Sequence, residues 1–328
     1  MMHRRQLPWL AGGLLAAPTL AMPRLVRAQA WPVRPVTMIV PWAAGGGADS
    51  VTRVFVSGLE QEIGQPVNVV NRTGGSGVVG HTAISMARPD GYTLGVASSE
   101  ISTFRALALA EISPDSFDIL SRLATIPAGV TVAVASPWRS VRDMLDAIKA
   151  GRKGQYTASG SGLGGSWHIA LAGLLRAGGM AADTVRWVPS QGGAPAMQDV
   201  VAGGISMATC SPIEGKGLID AGQARSLAVM GRKRLEVLPN VPTLAEGSIE
   251  WFFENWFALV APRGLPDDVL RRVLEVSARA QARPEVRNLL AQRGIVPVWE
   301  TPEEAGRFAR EYATTASDLL RALGIAKA

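Results

Sequence analysis

The chain of 328 residues carries 33 lysines and arginines against 27 acidic residues, a formal charge of +6, with one cysteine and 47% apolar composition. The lone Cys210 excludes an intramolecular disulfide, and the apolar fraction supplies enough material for two cores of ordinary domain size. Arg4, Arg5, Arg24 and Arg27 all fall in the first thirty residues, which hold no acids, so the charge of the rest drops by four to +2. A charge this small and scattered argues against nucleic-acid binding.

Residues 1–30 are expected to be a cleavable signal peptide. Arg4 and Arg5 precede a mostly apolar stretch from Leu7 to Met22, and Ala28-Gln29-Ala30 offers small residues for cleavage before Trp31. Gly12, Gly13 and Pro18 interrupt that stretch, which is shorter than the roughly 20 apolar residues of a comfortable membrane span. The pair Arg4-Arg5 leaves the general secretory and twin-arginine routes both open.

From Trp31 onward, short apolar runs alternate with amphipathic helical patterns, which predicts an α/β fold with largely parallel sheets. Val36 to Val40 forms the first predicted strand and Pro41 to Gly47 the turn after it. A helix follows near Asp49, with Val51, Phe55, Leu59 and Ile63 on one face and Gly64 at its end. The same unit recurs with strand Val67 to Val70, the loop Asn71 to Gly77 and a helix ending before Pro89. Strands Tyr92 to Ala97 and Val130 to Ala135 come next. Ser140 then caps a helix whose Val141, Met144, Leu145 and Ile148 make its buried stripe, and Gly151 stops it. Strand Tyr156 to Ala158 leads to the loop Ser159 to Ser166 and a helix through Leu175. Strand Val185 to Val188 leads to the turn Pro189 to Pro195. From Pro266 the chain is mainly helical, with Thr301-Pro302-Glu303-Glu304 as a capping box. Crossings between two lobes are expected near residues 127–133 and 251–260, giving lobe 1 as 31–130 with a return segment 251–328, and lobe 2 as 131–250.

Four glycine-rich loops, each after a strand and before a helix, gather where open α/β sheets bind ligands. Glycine allows close backbone approach, and the free N–H groups of a helix's first turn favour an anion. The plainer reading, that glycines only make tight turns, weakens when four loops share one topological position. Gly75 to Gly80 and Gly160 to Gly165 also satisfy G-x-G-x-x-G, and Glu100 stands 25 residues after Gly75, so a dinucleotide-binding oxidoreductase is the alternative. Nicotinamide cofactors are scarce for an exported protein, and no cofactor is expected. His81, His168 and Cys210 have no metal-ligand spacing, and neither a G-x-S-x-G elbow nor a phosphate loop occurs.

Taken together the loops resemble the periplasmic solute-binding proteins of tripartite tricarboxylate transporters, the Bordetella uptake gene family. The carriers of the likeness are Ile39-Val40-Pro41 with Gly45 to Asp49, Gly64-Gln65-Pro66-Val67 with Asn71-Arg72, and Pro89 to Leu94. They continue through Ser159 to Gly162 with His168, Val188-Pro189 with Gly192 to Ala196, Pro239 to Glu246, and Ala261-Pro262. The resemblance implies a two-lobed type II Venus flytrap with the ligand in the cleft, non-catalytic and monomeric, working in the periplasm with membrane permease subunits. It implies a small carboxylate held by backbone amides and ordered water. Carried over by position, the ligand contacts are Trp42, Ala43, Ala44, Gly45, Gly46, Gly47, Gly75 and Ser76 on the first lobe, with Ser98 and Ser99 as further donors. Those on the second lobe are Ser159, Ser161, Gln191, Gly192, Gly193 and Ala194. Gly46→Val is expected to abolish binding by blocking backbone approach while leaving the fold largely intact.

Departures bear on the ligand. Trp42 replaces the family's usual phenylalanine and Ser190-Gln191 its usual tyrosine-lysine, so the pocket wall differs on both lobes. Glu214 has two readings, a solvated loop residue or a partner for a ligand amino or hydroxyl group; in the cleft it would repel a distal carboxylate. Asp49 is expected to cap the first helix, His168 to pack, and Trp167, Trp251 and Trp256 to serve as core or hinge.

Overall fold

The computed structural model describes residues 31–322 and 324–327, so the expected leader lies outside the described residues. Two sheets organise the chain. The first holds strands β1 (Val36–Val40), β2 (Val67–Asn71), β3 (Thr93–Ser98) and β4 (Phe117–Pro127), and gains two more late in the sequence. The second holds β5 (Gly129–Ala133), β6 (Thr157–Ser159), β7 (Arg186–Trp187), β8 (Met207–Ala208) and β9 (Ala224–Val229). The late arrivals in the first sheet are β10 (Glu254–Pro262) and β11 (Val296–Pro297), giving the order β11-β4-β10-β3-β1-β2 beside a second sheet ordered β7-β6-β8-β5-β9.

The expectation of largely parallel sheets needs correction. β1 runs parallel to β2 and β3, and β6 parallel to β7 and β8, as strand-helix-strand units require. The strands at the crossings run against their neighbours: β10 is antiparallel to β3 and β4, and β5 to β8 and β9. A strand arriving from the other sheet enters without a crossover helix, which frees it to run antiparallel.

The chain passes from the first sheet to the second between Pro127 and Gly129 and returns before Glu254. Backbone bonds tie the two passages together. Ala128 N–H donates to Phe253 O at 3.0 Å, Met230 N–H to Ala128 O at 2.7 Å, and Phe253 N–H to Met230 O at 2.9 Å. Gly129 fits this crowding because a Cβ there would lie 2.5 Å from Pro212 Cγ.

Helices α1 (Gly47–Ile63), α2 (Val78–Ser85), α3 (Val141–Ala150), α4 (Ser166–Ala177), α5 (Gly193–Val201) and α6 (Lys216–Asp220) follow the strands. Helices α7 (Asp267–Ala282), α8 (Pro284–Ala291) and α9 (Pro302–Ala322) close the described chain. In α1, Val51, Phe55 and Leu59 are buried, and Gly64 at φ 65° closes the helix through its N–H to Glu60 O. Ser140 caps α3 reciprocally with Asp143, at 3.1 and 3.0 Å. Thr301 and Glu304 do the same for α9.

Asp49 is not the cap of α1. The helix starts two residues earlier, at Gly47 with Gly46 as its N-cap, because the glycines can turn into it without a side chain to place. Asp49 instead reaches back from the first turn and accepts Gly45 N–H at 2.9 Å, with Arg53 Nε and Asn71 Nδ2 also at 2.9 Å. Burial opposes its ionisation, but the bonds from Arg53, Gly45 and Asn71 outweigh that and hold the carboxyl below its usual range.

Candidate functional site

A small cavity of about 20 Å3 lies where the loops of the two lobes meet. Trp42, Gly46, Gly47, Ala48, Glu100, Asn255 and Phe257 line it from the first lobe and the returning strand, and Ser161, Trp167, Gly192, Gly193 and Glu214 from the second. It has room for about one water-sized group. A larger cavity of about 370 Å3 includes Pro127, Gly231 to Glu236 and Gly294 to Pro297 in its lining. That lining comes from the hinge and the C-terminal strand rather than from the glycine-rich loops, and its Arg234 is engaged by Glu246 and Pro239 O. Size favours the larger cavity; convergent polar groups favour the smaller.

Several expected residues come together at the small cavity: Trp42, Gly46, Gly47, Ser161, Gly192, Gly193 and Glu214. Ala43 and Gln191 join the lobes just outside it, Ala43 N–H donating to Gln191 O at 3.0 Å. Ala44, Gly45, Gly75 and the Gln191 side chain face solvent, and a Cβ on Gly45 would touch Ala194 Cβ at 3.9 Å. Ser76 abuts the second lobe through Gly162, where a Cβ would lie 2.2 Å from Ser76 Cβ. Ser98 holds the Trp42 indole, whose Nε1–H donates to Ser98 Oγ at 2.9 Å. Ser159 is buried with a hydroxyl that has no partner among the described residues.

Protein atoms crowd two other glycines more closely than they crowd Gly46. A Cβ on Gly46 would meet Ala43 O at 3.4 Å, an ordinary contact, whereas one on Gly47 would lie 2.6 Å from Ile126 Cδ1 and 2.8 Å from Glu214 Oε1. On Gly193 it would lie 1.7 Å from Glu214 Oε2. Backbone at these two positions is pressed against a carboxylate, which only a residue without a side chain permits.

Glu214 is therefore a cleft residue and not a solvated loop residue. It sits in the turn Pro212–Gly215 of the second lobe, and its Oε1 accepts the Gly47 N–H that opens α1 of the first lobe, at 2.5 Å. Parts of the residue reach solvent, but Oε2 is shielded and has no partner among the described residues beyond the weak thiol of neighbouring Cys210. Burial pushes this carboxyl up to about 7; the Gly47 N–H and the Cys210 thiol offset burial only in part, and the charge of Glu100 adds to it.

Glu100 is the residue that sequence reasoning placed elsewhere, as a candidate ribose partner. It is 2% exposed, and its Oε1 accepts Ser166 N–H at 3.1 Å and Ser166 Oγ–H at 2.8 Å, at the start of α4 in the second lobe. Its Oε2 accepts nothing from the described residues. Ser99 lies beside it and donates to Asn255 Oδ1 at 2.6 Å. Only the position of an acid directly after an apolar strand signalled Glu100, and Asn255 gave no local signal at all.

His81 and His168, the two histidines among the described residues, are buried structural groups. His81 Nδ1–H donates to Gly77 O at 2.8 Å while Nε2 accepts Ser98 N–H at 3.2 Å, and burial lowers it to about 4. His168 stacks on Trp187 at 4.5 Å and accepts Gly164 N–H through Nδ1 at 2.9 Å; burial lowers it, too, to about 4. Trp251 donates to Ala170 O at 3.0 Å, and Trp256 is fully buried.

A two-lobed α/β frame with a ligand cleft between the lobes is the architecture of periplasmic binding proteins. The profile described as "Tripartite tricarboxylate transporter family receptor" matches residues 51–325, and the chain belongs to that family. It is 31% identical over 316 residues to Protein BugT of Bordetella pertussis, covering 94% of each chain. A UPF0065 protein from the tcbD-tcbE intergenic region of a Pseudomonas species is 32% identical over 314 residues, covering 92% of each. An R. palustris protein solved with adipate superposes at a TM-score of 0.83 with 26% identity, over 90% of this chain and 99% of that one. The dinucleotide alternative finds no support: the acid it needed, Glu100, is bonded to Ser166 of the opposite lobe.

Proposed function

We propose that this protein is a non-catalytic, monomeric solute-binding protein of the periplasm. It captures a small carboxylate-containing metabolite between its lobes and delivers it to the permease subunits of a tripartite tricarboxylate-type transporter. The observation that carries the reading is the closed cleft walled by glycine loops and helix starts from both lobes, bridged by Ala43 N–H to Gln191 O. Helix starts offer unpaired N–H groups to an anion. Glu214 already holds the Gly47 amide and lies against Gly193, so the ligand carboxylate is directed to the rim of the cleft, where Gly192 and Ala194 face Ala43 and Gly45. A cavity of about 20 Å3 is too small for a whole dicarboxylate, so entry requires the lobes to part. The relative solved with adipate supports a carboxylate ligand.

Melting of the purified protein against a panel of small carboxylates tests this. A true ligand at a hundred times its Kd should add about 2.7 kcal/mol of stability and be recovered unchanged. A panel without a single saturable shift would remove the binding reading, and conversion of the ligand would remove its non-catalytic part.

A further inference from the structure

We propose that the cavity between Glu100 and Glu214 is a seat for a cation, so that the solute this protein takes carries a protonated amino group lying between the two carboxylates. This rests on the binding-protein reading above and names its ligand class.

The cavity has two carboxylates in its wall, and the described residues lining it include no lysine, arginine or histidine. Each carboxylate spends one oxygen on the opposite lobe: Glu100 Oε1 on Ser166, Glu214 Oε1 on Gly47. Each leaves the other oxygen buried; that of Glu100 has no partner among the described residues, and that of Glu214 has at most the weak Cys210 thiol, which also lies 3.8 Å from Gly193 O. Glu100, at 2% exposure, is thus a buried acceptor with spare capacity at the edge of a cavity of about 20 Å3. Buried charges are stable in proteins when paired, and two carboxylates facing one small space repel each other. A cation between them removes both penalties. An ammonium group is close to a water molecule in size, which matches the space. It has three N–H donors, enough for Glu100 Oε2, Glu214 Oε2 and Asn255 or Ser161. Trp42, Trp167 and Phe257 also line the cavity and help to keep water out. A hard metal ion such as calcium needs six or more oxygen ligands, and the described residues contain no cluster of three or more metal-binding side chains.

Isothermal titration at pH 8 with matched probes tests the seat: aspartate against succinate, 4-aminobutyrate against butyrate, butylamine alone, and calcium chloride alone. The amine-bearing member of at least one pair should bind at least tenfold tighter than its partner. Glu100→Gln and Glu214→Gln, each shown to be folded by circular dichroism, should cut that preference below threefold. Equal or tighter binding of the acids without an amine would overturn the cation seat while leaving the carboxylate-binding function standing. Binding of butylamine as tight as that of 4-aminobutyrate would support the seat and remove the carboxylate from the proposed function. Binding of calcium alone, lost in both variants, would overturn the seat in favour of a metal. Silence from every amine-bearing probe would overturn it as well.

Discussion

Glu100 and Glu214 occupy reciprocal positions: the first lobe lends a carboxylate to the start of α4 in the second, and the second lends one to the start of α1 in the first. Their surroundings differ. Glu100 takes two donors from Ser166, beside Ser99 and Asn255 close to where the chain crosses between sheets. Glu214 takes a single amide, faces a neighbouring carboxylate and is pushed up to about 7 by burial. A contact held by two donors resists parting of the lobes, whereas one held by a single amide gives way first. Glu100 accordingly belongs to the frame and Glu214 to the closing surface. The asymmetry shows how one physical device, a carboxylate on a helix start, serves either stability or closure according to how many donors hold it.

Displacing Glu214 while leaving its own side chain unchanged should have the largest effect. Gly193→Ala puts a methyl 1.7 Å from Glu214 Oε2 and 2.9 Å from Cys210 Cβ, so the carboxylate must leave the cavity or the lobes must stay apart. Affinity for the ligand should fall about a hundredfold, close to 3 kcal/mol, by calorimetry. Gly46→Ala, whose methyl meets only Ala43 O at 3.4 Å and Glu214 Oε1 at 3.6 Å, should stay within about threefold of the parent. Equal damage from both would assign the effect to the loop as a whole and not to Glu214.

Charge removal comes next. The Glu214 carboxyl, raised from 4.5 to about 7, favours the folded state fully below pH 4.5 and loses that contribution as pH rises through 7. The groups facing it are the Glu100 carboxylate and the Cys210 thiol, which burial keeps protonated across this range. Glu214→Gln keeps an oxygen for Gly47 N–H and removes the charge. At pH 8 the variant should be more stable than the parent by up to about 3 kcal/mol, the gap closing toward pH 4.5. Urea midpoints at pH 5, 6.5 and 8 measure it. A gap independent of pH would mean that Glu214 ionises like a solvated acid.

Glu100→Gln should behave in the opposite sense, because weakening the two bonds from Ser166 outweighs the relief of its buried charge. The amide oxygen still accepts from Ser166, but without a charge, at a cost of about 1.5 kcal/mol in the urea midpoint at pH 7. A stabilising effect equal to that of Glu214→Gln would erase the distinction between frame and closing surface.

What the sequence made legible was local. The four-residue period of Val51, Phe55 and Leu59, the stop at Gly64, and the caps at Ser140 and Thr301 each depend on residues within one or two turns, and each appears in the structure. Trp42, Gly47 and Gly193 were legible for a related reason, since a glycine between a strand and a helix marks where backbone can approach a partner. The antiparallel strands were not. β4 and β10 pair residues such as Phe117 and Pro262 that are far apart in the chain, and no short-range pattern states which strand will receive another. Glu100 was misplaced for the same reason: its partner Ser166 is 66 residues away, and only closure of the two lobes brings them within 2.8 Å.

Trp42 tests the smallest part of the contrast, the wall shared by both carboxylates. Its indole donates to Ser98 Oγ at 2.9 Å and packs where Gly77, at φ 94°, leaves 3.0 Å between a hypothetical Cβ and Trp42 Cζ2. Trp42→Phe deletes one buried hydrogen bond and part of the wall but disturbs neither the Gly47 amide nor Ser166. The loss should be about 1 kcal/mol in the urea midpoint. With Glu214→Gln the substitution should couple, since the indole and that carboxylate line the same cavity, and a double-mutant cycle should return an interaction above about 0.5 kcal/mol. A double-mutant cycle with Glu100→Gln should also couple, because Glu100 lines the same cavity and stands two residues after Ser98, the partner of the indole. Additivity in both cycles would mean that the wall and the two carboxylates act independently. Coupling to Glu100 alone would move the wall from the closing surface to the frame.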